Sequence, residues 1–386
     1  MKYKIITHIG TLPPLKPNSY YSIMLINSLL SKGISIDFIS FKKMYPEFIY
    51  KLFFKDTQFH TDKNFVLNKK ENLDVKYVIS YMNPLTWIKA AFLPKTDIVH
   101  LQWWSIPLVF VYFVIHALLK LRGKKIILTV HNVLPHESSI LSIFLSNIAF
   151  LFVDRFIVHS NHNRITFSRR FNLPLERISV VPMGIHDIYK KDILTKLKAR
   201  NKLNIPNNKK VILMFGHIRD YKGVDDGIKA FNEFKKRIKN SVLIIAGELR
   251  EDWTKYQKLI DEMGLNDSVI KQLKYIDMSE VQSYFIASDL VILPYKEFEA
   301  QSGIGNIALT FNIPLIVSNV GALPDLVINK KVIFKVGDYE QLANIIVNVM
   351  INKKLYNSLV DDTKKLCKKY SWDKVGDETI KVYNQM

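Results

Sequence analysis

One pattern restricts this chain more than any other. An order of apolar run, loop and amphipathic stretch repeats, stops near residue 190, and then starts again. "KYKIIT" reads as a strand. "SIMLINSLLSKG" spaces its apolar residues as a helix does and stops at Gly33, and "ISIDFIS" reads as the next strand. "DIVHLQ", "KIILTV", "RFIVHS" and "ISVVPM" follow. The polar stretch "KKDILTKLKARNKLNIPNNKK" then reads as a linker with one short helix. The second pass brings "VILMFG", "SVLIIAGE", "VIKQLKYI", "DLVILPY" and "PLIVSN". Strands that alternate with helices build a parallel sheet covered on both faces. The expected class is α/β, with two doubly wound Rossmann-like domains, residues 1–190 and 205–370. They would face a cleft at the carboxyl ends of both sheets, where such folds bind ligands.

The length of 386 residues exceeds one ordinary core, and 48% apolar residues can fill two. A single cysteine, Cys367, rules out a disulfide framework and a thiolate metal cluster, and fits a reducing compartment. "MKYKIITHIG" has neither the long apolar core nor the small-residue cleavage site of a signal peptide, so a cytoplasmic location is expected.

Formal net charge is +20, and residues 1–190 carry 24 Lys and Arg against 11 Asp and Glu. Such a balance suits nucleic acid, anionic lipid or phosphorylated substrates. A solvated lysine-rich surface explains it equally well. The basic residues are scattered and no RNA-binding signature occurs, so no nucleic-acid partner is expected.

Residues 101–119, "LQWWSIPLVFVYFVIHALL", carry no charge, and residues 138–153 are another apolar run. Gln102, Pro107 and His116 interrupt the first, which favours buried core helices over a bilayer span. A helix lying on the membrane surface is the intermediate reading, helped by Lys120, Arg122, Lys124 and Lys125. Residues 40–55, "SFKKMYPEFIYKLFFK", interleave cations and aromatics, as an interfacial patch or a protein-facing amphipathic helix would.

Three stretches carry candidate chemistry. In "FGHIRDYKGVDDGIKAF" a strand ends at Gly216, a loop holds Arg219 and Lys222, and Gly223 opens a helix. Two cations at a helix start suit a diphosphate leaving group, whose charge grows as its bond to a sugar breaks. A polar surface loop is the plainer reading. In "YKEFEAQSGIGNIALTFNIPLIVSNVG", Ser302 and Gly303 open a helix with unhindered amides, and Glu299 stands just before as an acceptor for sugar hydroxyls. The plainer reading is an N-cap serine beside a surface glutamate. In "LTVHNVLPHE", His131 follows a strand directly, where an imidazole can donate to a sugar hydroxyl or shuttle a proton. A structural histidine is the alternative. His100 and Gln102 are similarly placed, and His136 and Glu137 lie in the next loop. Gly10, between the first strand and helix, allows close backbone approach to a phosphate or a sugar. The histidines form no close pair with a third ligand, so no metal is expected.

Together these stretches resemble the retaining glycosyltransferases of the GT-B fold, family 4 (glycosyl transferases group 1). "GHIRDYKG", "EAQSGIGN" and "IPLIVSNVGALPDL" resemble, in order, the family's glycine-bearing loop with Arg and Lys, its Glu–seven residues–Glu motif and its Pro-led strand with a glycine turn. "TVHN" resembles the first-domain histidine segment. "YSWDKVGDETIKVY" resembles the final helix, residues 371–386, which crosses back to the first domain. The likeness implies a UDP- or GDP-sugar donor, no metal cofactor, and transfer of a hexosyl group to an acceptor hydroxyl. It implies that Lys222 binds the diphosphate. The family's Arg follows a glycine in this loop; His217 holds that place here, and Arg219 takes the role two residues later. Glu299 matches the first Glu, near the donor sugar. The second falls on Ile307, so the usual ribose carboxylate is missing. Ile276 matches a position whose backbone contacts the base, Met183 replaces a polar residue before a glycine, and His131 positions the sugar. The basic first domain adds a lipid-linked or polysaccharide acceptor in cell-surface glycan assembly, reached by peripheral contact at the inner membrane face. Two alternatives stay open: a nonhydrolysing nucleotide-sugar epimerase, and a non-catalytic basic protein that binds nucleic acid or membrane.

Overall fold

The computed structural model describes residues 3–13, 15, 18–46, 49, 71–133, 140–190, 194–299 and 301–386. The chain forms two compact units, Met1–Gly184 with Trp372–Met386, and Ile185–Ser371. Residues 47, 48 and 50–55 of the aromatic-basic stretch lie outside the described residues, as do His136 and Glu137.

The first unit is a seven-stranded parallel sheet of β1 (Ile5–Gly10), β2 (Ser35–Lys43), β3 (Leu73–Ser80), β4 (Ile98–Trp103), β5 (Lys125–Val130), β6 (Arg155–Val158) and β7 (Ile178–Val180). Its order is β3-β2-β1-β4-β5-β6-β7. Every residue of β4 and all but the first of β5 are buried, because helices cover both faces and leave no side of the strand for water. The edge strand β3 exposes alternate residues. That is why "LDVKYVIS" lacks the continuous apolar run by which the other strands are read.

Helix α1 (Ser19–Ser31) follows β1, α2 (Pro84–Phe92) follows β3, and α3 (Val109–Leu121) follows β4. Helix α4 (Ile140–Phe150) precedes β6 and α5 (Asn161–Phe171) follows it. The uncharged residues 101–119 therefore divide into the end of β4, a short 3-10 turn and the 13-residue α3. At 1.5 Å per residue α3 is about 20 Å long, against an apolar bilayer core of about 30 Å. Among the described residues no helix is long and apolar enough to cross a membrane.

The second unit is a six-stranded parallel sheet of β8 (Lys210–Phe215), β9 (Ser241–Ala246), β10 (Val269–Gln272), β11 (Leu290–Leu293), β12 (Leu315–Ser318) and β13 (Ile333–Phe334). Its order is β10-β9-β8-β11-β12-β13. Its helices are α6 (Lys196–Lys202), α7 (Val224–Arg237), α8 (Thr254–Glu262), α9 (Met278–Ala287), α10 (Gly303–Thr310), α11 (Tyr339–Ile351) and α12 (Lys353–Lys369). Among the described residues of the polar stretch after residue 190, α6 is the one helix, and β10 stops at Gln272, which leaves Ile276 beyond the strand.

The last helix, α13 (Trp372–Asn384), packs on α1 and so belongs to the first unit. Ser28 donates to the Trp372 carbonyl at 2.6 Å, and Lys32 pairs with Asp373 at 2.6 Å and Asp377 at 2.7 Å. Gly376 is needed at the crossing: a Cβ there would lie 2.1 Å from the Ser28 hydroxyl.

The strand order reverses direction between β1 and β4 in one sheet and between β8 and β11 in the other. The carboxyl ends of such strand pairs are where loops diverge and open a crevice. Gly10 and Gln102 stand at the first of these points, and Gly216 and Tyr295 at the second.

Candidate functional site

In the second unit the reversal point brings two sequence-distant loops together. After β8, Gly216 adopts φ 101°, and its amide still bonds the Ala246 carbonyl at 2.9 Å. A 3-10 turn, Asp220–Lys222, follows, and Gly223 at φ 64° opens α7. A Cβ on Gly223 would lie 1.9 Å from the Pro294 carbonyl oxygen, so only glycine brings this turn against the end of β11.

That approach sets the Lys222 ammonium against Tyr295, to which it donates at 2.6 Å. Three aromatic rings surround the same nitrogen, with centroids 4.0 Å away for Tyr295, 5.3 Å for Tyr221 and 5.8 Å for Phe298. The quadrupoles of such rings favour a cation. Burial draws the Lys222 pKa down from the ordinary lysine range; Tyr221 opposes this and Arg219 adds to it. Burial pushes the Tyr295 phenol up, and the nearby Ser302 side chain pulls it back. Tyr295 thus holds Lys222 on the side of Ser302.

Ser302 is the N-cap of α10, and its hydroxyl accepts from the Gly305 amide at 3.2 Å. The amides of the helix's first residues carry the positive end of its dipole. Ile304, in that first turn, packs on Gly216: a Cβ at Gly216 would lie 3.1 Å from it. The structure therefore brings Gly216, Lys222, Ser302 and Gly303 into one locality. His186 is also there, its Nε2 3.7 Å from where a Gly303 Cβ would be, and burial holds it down to about 4.

Arg219 is exposed at the start of the 3-10 turn. Glu299 is exposed too, in a loop backed by Gly321, whose Cβ would lie 1.7 Å from the Phe298 carbonyl oxygen. His217 lies 3.7 Å from the Glu248 carboxylate, which Arg250 also binds at 2.7 Å. Ile276 is buried between β10 and α9. Ile307 is buried in the core under α10, so it offers no polar group in place of a carboxylate.

Sequence reasoning missed Tyr295 and His186. The signal for Tyr295 was its place, two residues after β11, in a Tyr-x-x-Phe pair: Phe298 stacks on Tyr221 of the turn, and Tyr295 meets both rings edge-on.

In the first unit, His131 follows β5 and is buried. Its amide bonds the Trp103 carbonyl at 2.9 Å, its Nε2 lies 3.4 Å from the Gln102 side chain, and its Nδ1 lies 3.1 Å from His159 Nε2. Gly10 stands beside Gln102, whose amide carbon would be 3.4 Å from a Cβ on Gly10. His100 is tied elsewhere, at 2.7 Å each to Tyr383 of α13 and Thr129. No group of three or more His, Cys, Asp or Glu among the described residues is placed to hold a metal ion.

Two parallel-sheet α/β units, each with a glycine-lined turn at its reversal point, define the GT-B class. Solved structures agree. Anabaena HepE in complex with UDP matches with a TM-score of 0.73 over 99% of this chain and 100% of its own, at 14% identity. A glycosyltransferase from Rickettsia africae matches at 0.71 over 100% and 99%, at 16% identity. The Glycosyltransferase Family 4 model matches residues 21–187, and the Glycosyl transferases group 1 model matches residues 195–366. The chain belongs to glycosyltransferase family 4. An uncharacterised glycosyltransferase of Methanocaldococcus jannaschii is 26% identical over 223 residues, and the match spans 55% of each chain, about half the length of that relative.

Proposed function

We propose that this protein transfers a hexosyl group, with retention, from a UDP- or GDP-sugar to a hydroxyl of a glycan or lipid-linked acceptor. The observation that carries the proposal is the Lys222–Tyr295 bond beside the helix start capped by Ser302, at the reversal point of the second sheet. It gathers a fixed cation and a helix N-terminus, the two things a departing diphosphate needs. UDP and UDP-glucose complexes of HepE, a protein of the same fold, support a nucleotide-sugar donor.

In this reading Lys222 and the amides of Ser302 and Gly303 receive the diphosphate, and Gly216 lets the backbone approach it. Arg219 adds a second cation from the exposed turn. Glu299 accepts from sugar hydroxyls, the backbone at Ile276 meets the base, and His131 and Gly10 belong to the sugar and acceptor side. The acceptor attacks the face from which the diphosphate leaves, and the departing phosphate oxygen takes the acceptor proton. Charge stabilisation by Lys222, Arg219 and the helix start removes the need for a metal.

The acceptor side is read from an apolar surface. Helix α3 packs between α2 and α4, and this layer exposes Leu85, Ile88 and Phe92 on α2, Phe110 and Leu121 on α3, and Leu141 and Phe144 on α4. So much exposed apolar area in one layer suits contact with lipid. The cations expected to help are largely committed: Lys120 pairs with Asp154 at 2.5 Å, Arg122 donates to the Ala91 and Pro94 carbonyls, and Lys125 bonds the Met386 carbonyl. The proposed contact, at the inner face of the membrane, therefore rests on apolar side chains more than on charge. A role in cell-surface glycan assembly follows from such an acceptor.

Proton NMR of reactions with α-linked UDP- and GDP-hexoses tests the reaction. The first product is expected to keep the α configuration. A β product would contradict retention, and no consumption of any donor with added lipid-linked acceptors would contradict transfer.

A further inference from the structure

Five neighbouring strands of the first sheet each place one group at the carboxyl edge. These are Gly10 on β1, Gln102 on β4, His131 after β5, His159 after β6 and Val181 after β7. Four of them are joined in sequence. His159 Nδ1 lies 2.9 Å from the Val181 carbonyl, His159 Nε2 lies 3.1 Å from His131 Nδ1, and His131 Nε2 lies 3.4 Å from the Gln102 side chain.

Hydrogen-bond chemistry leaves one proton arrangement. A carbonyl only accepts, so His159 must carry its proton on Nδ1. Both rings are buried, and burial keeps them neutral: His159 is drawn down to about 4 and His131 lies well below the ordinary histidine range, with His159 adding to that shift. A neutral imidazole has one N–H, so His159 Nε2 is an acceptor and His131 must donate to it from Nδ1. His131 Nε2 is then left as an acceptor. The Gln102 amide satisfies it by turning its NH2 toward the ring. In that orientation the Ser22 hydroxyl, 3.3 Å from the same amide position, accepts from the NH2 group and donates to the Asn18 carbonyl at 3.2 Å. Tyr21 packs its ring edge-on against His131, with centroids 4.7 Å apart, and holds the ring in place from α1.

We infer that His159 is a positioning residue, which fixes His131 in the Nδ1–H form and so makes His131 Nε2 a hydrogen-bond acceptor. The inference deepens the glycosyl-transfer reading and rests on it for its functional meaning. Under that reading His131 receives a hydrogen bond from a sugar or acceptor hydroxyl and gives none. Its one lone pair serves one donor at a time, so a bound hydroxyl takes the place of the Gln102 NH2 group at His131 Nε2 and can accept from the amide hydrogen it displaces. The expectation that this imidazole donates to the sugar is replaced by the opposite polarity.

Long-range proton–nitrogen correlation spectra of the full chain, labelled with 15N-histidine and without ligand at neutral pH, test this directly. The wild type is expected to show both His131 and His159 protonated on Nδ1 with a bare Nε2; His131→Asn and His159→Gln assign the signals. His159→Gln keeps an acceptor oxygen for His131 and should leave its form unchanged. His159→Phe removes the acceptor and should move His131 toward the Nε2–H form. A wild-type His131 protonated on Nε2, or a His131 signal unmoved by His159→Phe, would overturn the inference. If the Phe variant does not fold, the wild-type spectrum still decides. The spectra need no substrate, so they succeed or fail independently of whether UDP binds the second unit.

Discussion

Lys222 and Tyr295 are 73 residues apart, yet the lysine ammonium bonds the tyrosine phenol at 2.6 Å. The contact ties the turn after β8 to the loop after β11, the two strands between which the sheet order reverses. It holds a cation that burial disfavours at the place where a helix N-terminus begins.

Tyr295→Phe keeps the ring and removes the hydroxyl that orients Lys222. A net hydrogen bond involving a charged group contributes about 1.5–3 kcal/mol. Affinity for UDP or GDP, whichever binds, is expected to fall roughly tenfold or more by titration calorimetry, since each 1.4 kcal/mol is about tenfold. The fold should survive, as the ring stays buried. Unchanged affinity would mean that the phenol does not position the lysine.

Gly223→Ala puts a Cβ 1.9 Å from a backbone oxygen at a positive φ. Gly264 has a similar φ of 63° but open space around it. Gly264→Ala should therefore show only the conformational cost, about 1 kcal/mol. Gly223→Ala should lose more, at least about 2 kcal/mol, because strain is added where nothing flexible can yield. Urea unfolding of the two variants measures the difference.

Acid should weaken the fold before carboxylates titrate. His8 is drawn down to about 3 by burial, and His116, His159 and His186 to about 4. The unfolded chain binds protons on these groups near pH 6.5 and the folded chain does not. Their contribution is complete above that value and is lost as pH falls toward about 4. In that window each histidine costs about 1.4 kcal/mol per pH unit. Stability measured from pH 7 down to pH 5 should fall steeply. A flat profile would show that the buried rings can protonate in place.

The exposed layer of α2 to α4 gives a membrane prediction. Wild type should sediment with anionic vesicles, and the double variant Leu85→Asp with Phe144→Asp should not. Because Lys120, Arg122 and Lys125 are already engaged, added salt should weaken binding only modestly. No binding at low salt would remove the peripheral-membrane part of the proposal.

Buried parallel strands announced themselves as apolar runs, and "KIILTV" reads as a strand over the same residues that form β5. The edge strand β3 did not, since half of it faces water. Helix-start serine and turn glycine were also legible: Ser302 caps α10 and Gly223 opens α7. Contacts across the sheet were not. Tyr295 looked like the end of a strand, and His159 like the end of "RFIVHS". Their roles arise from strand order, which sets Tyr295 beside Lys222 and His159 beside His131. Local sequence carries no record of which strands become neighbours. Nor does it say what takes the part of the carboxylate absent at Ile307, which is packed in the core.

The most direct test of the account is a thermal-shift and calorimetric panel of UDP, GDP, ADP and their common hexose conjugates, with EDTA present, on wild type and Lys222→Ala. One nucleotide family is expected to stabilise the wild type without metal, and Lys222→Ala to weaken that binding by about tenfold to a hundredfold, the range for a lost charged hydrogen bond. Stabilisation that disappears with EDTA, or that Lys222→Ala leaves untouched, would contradict it.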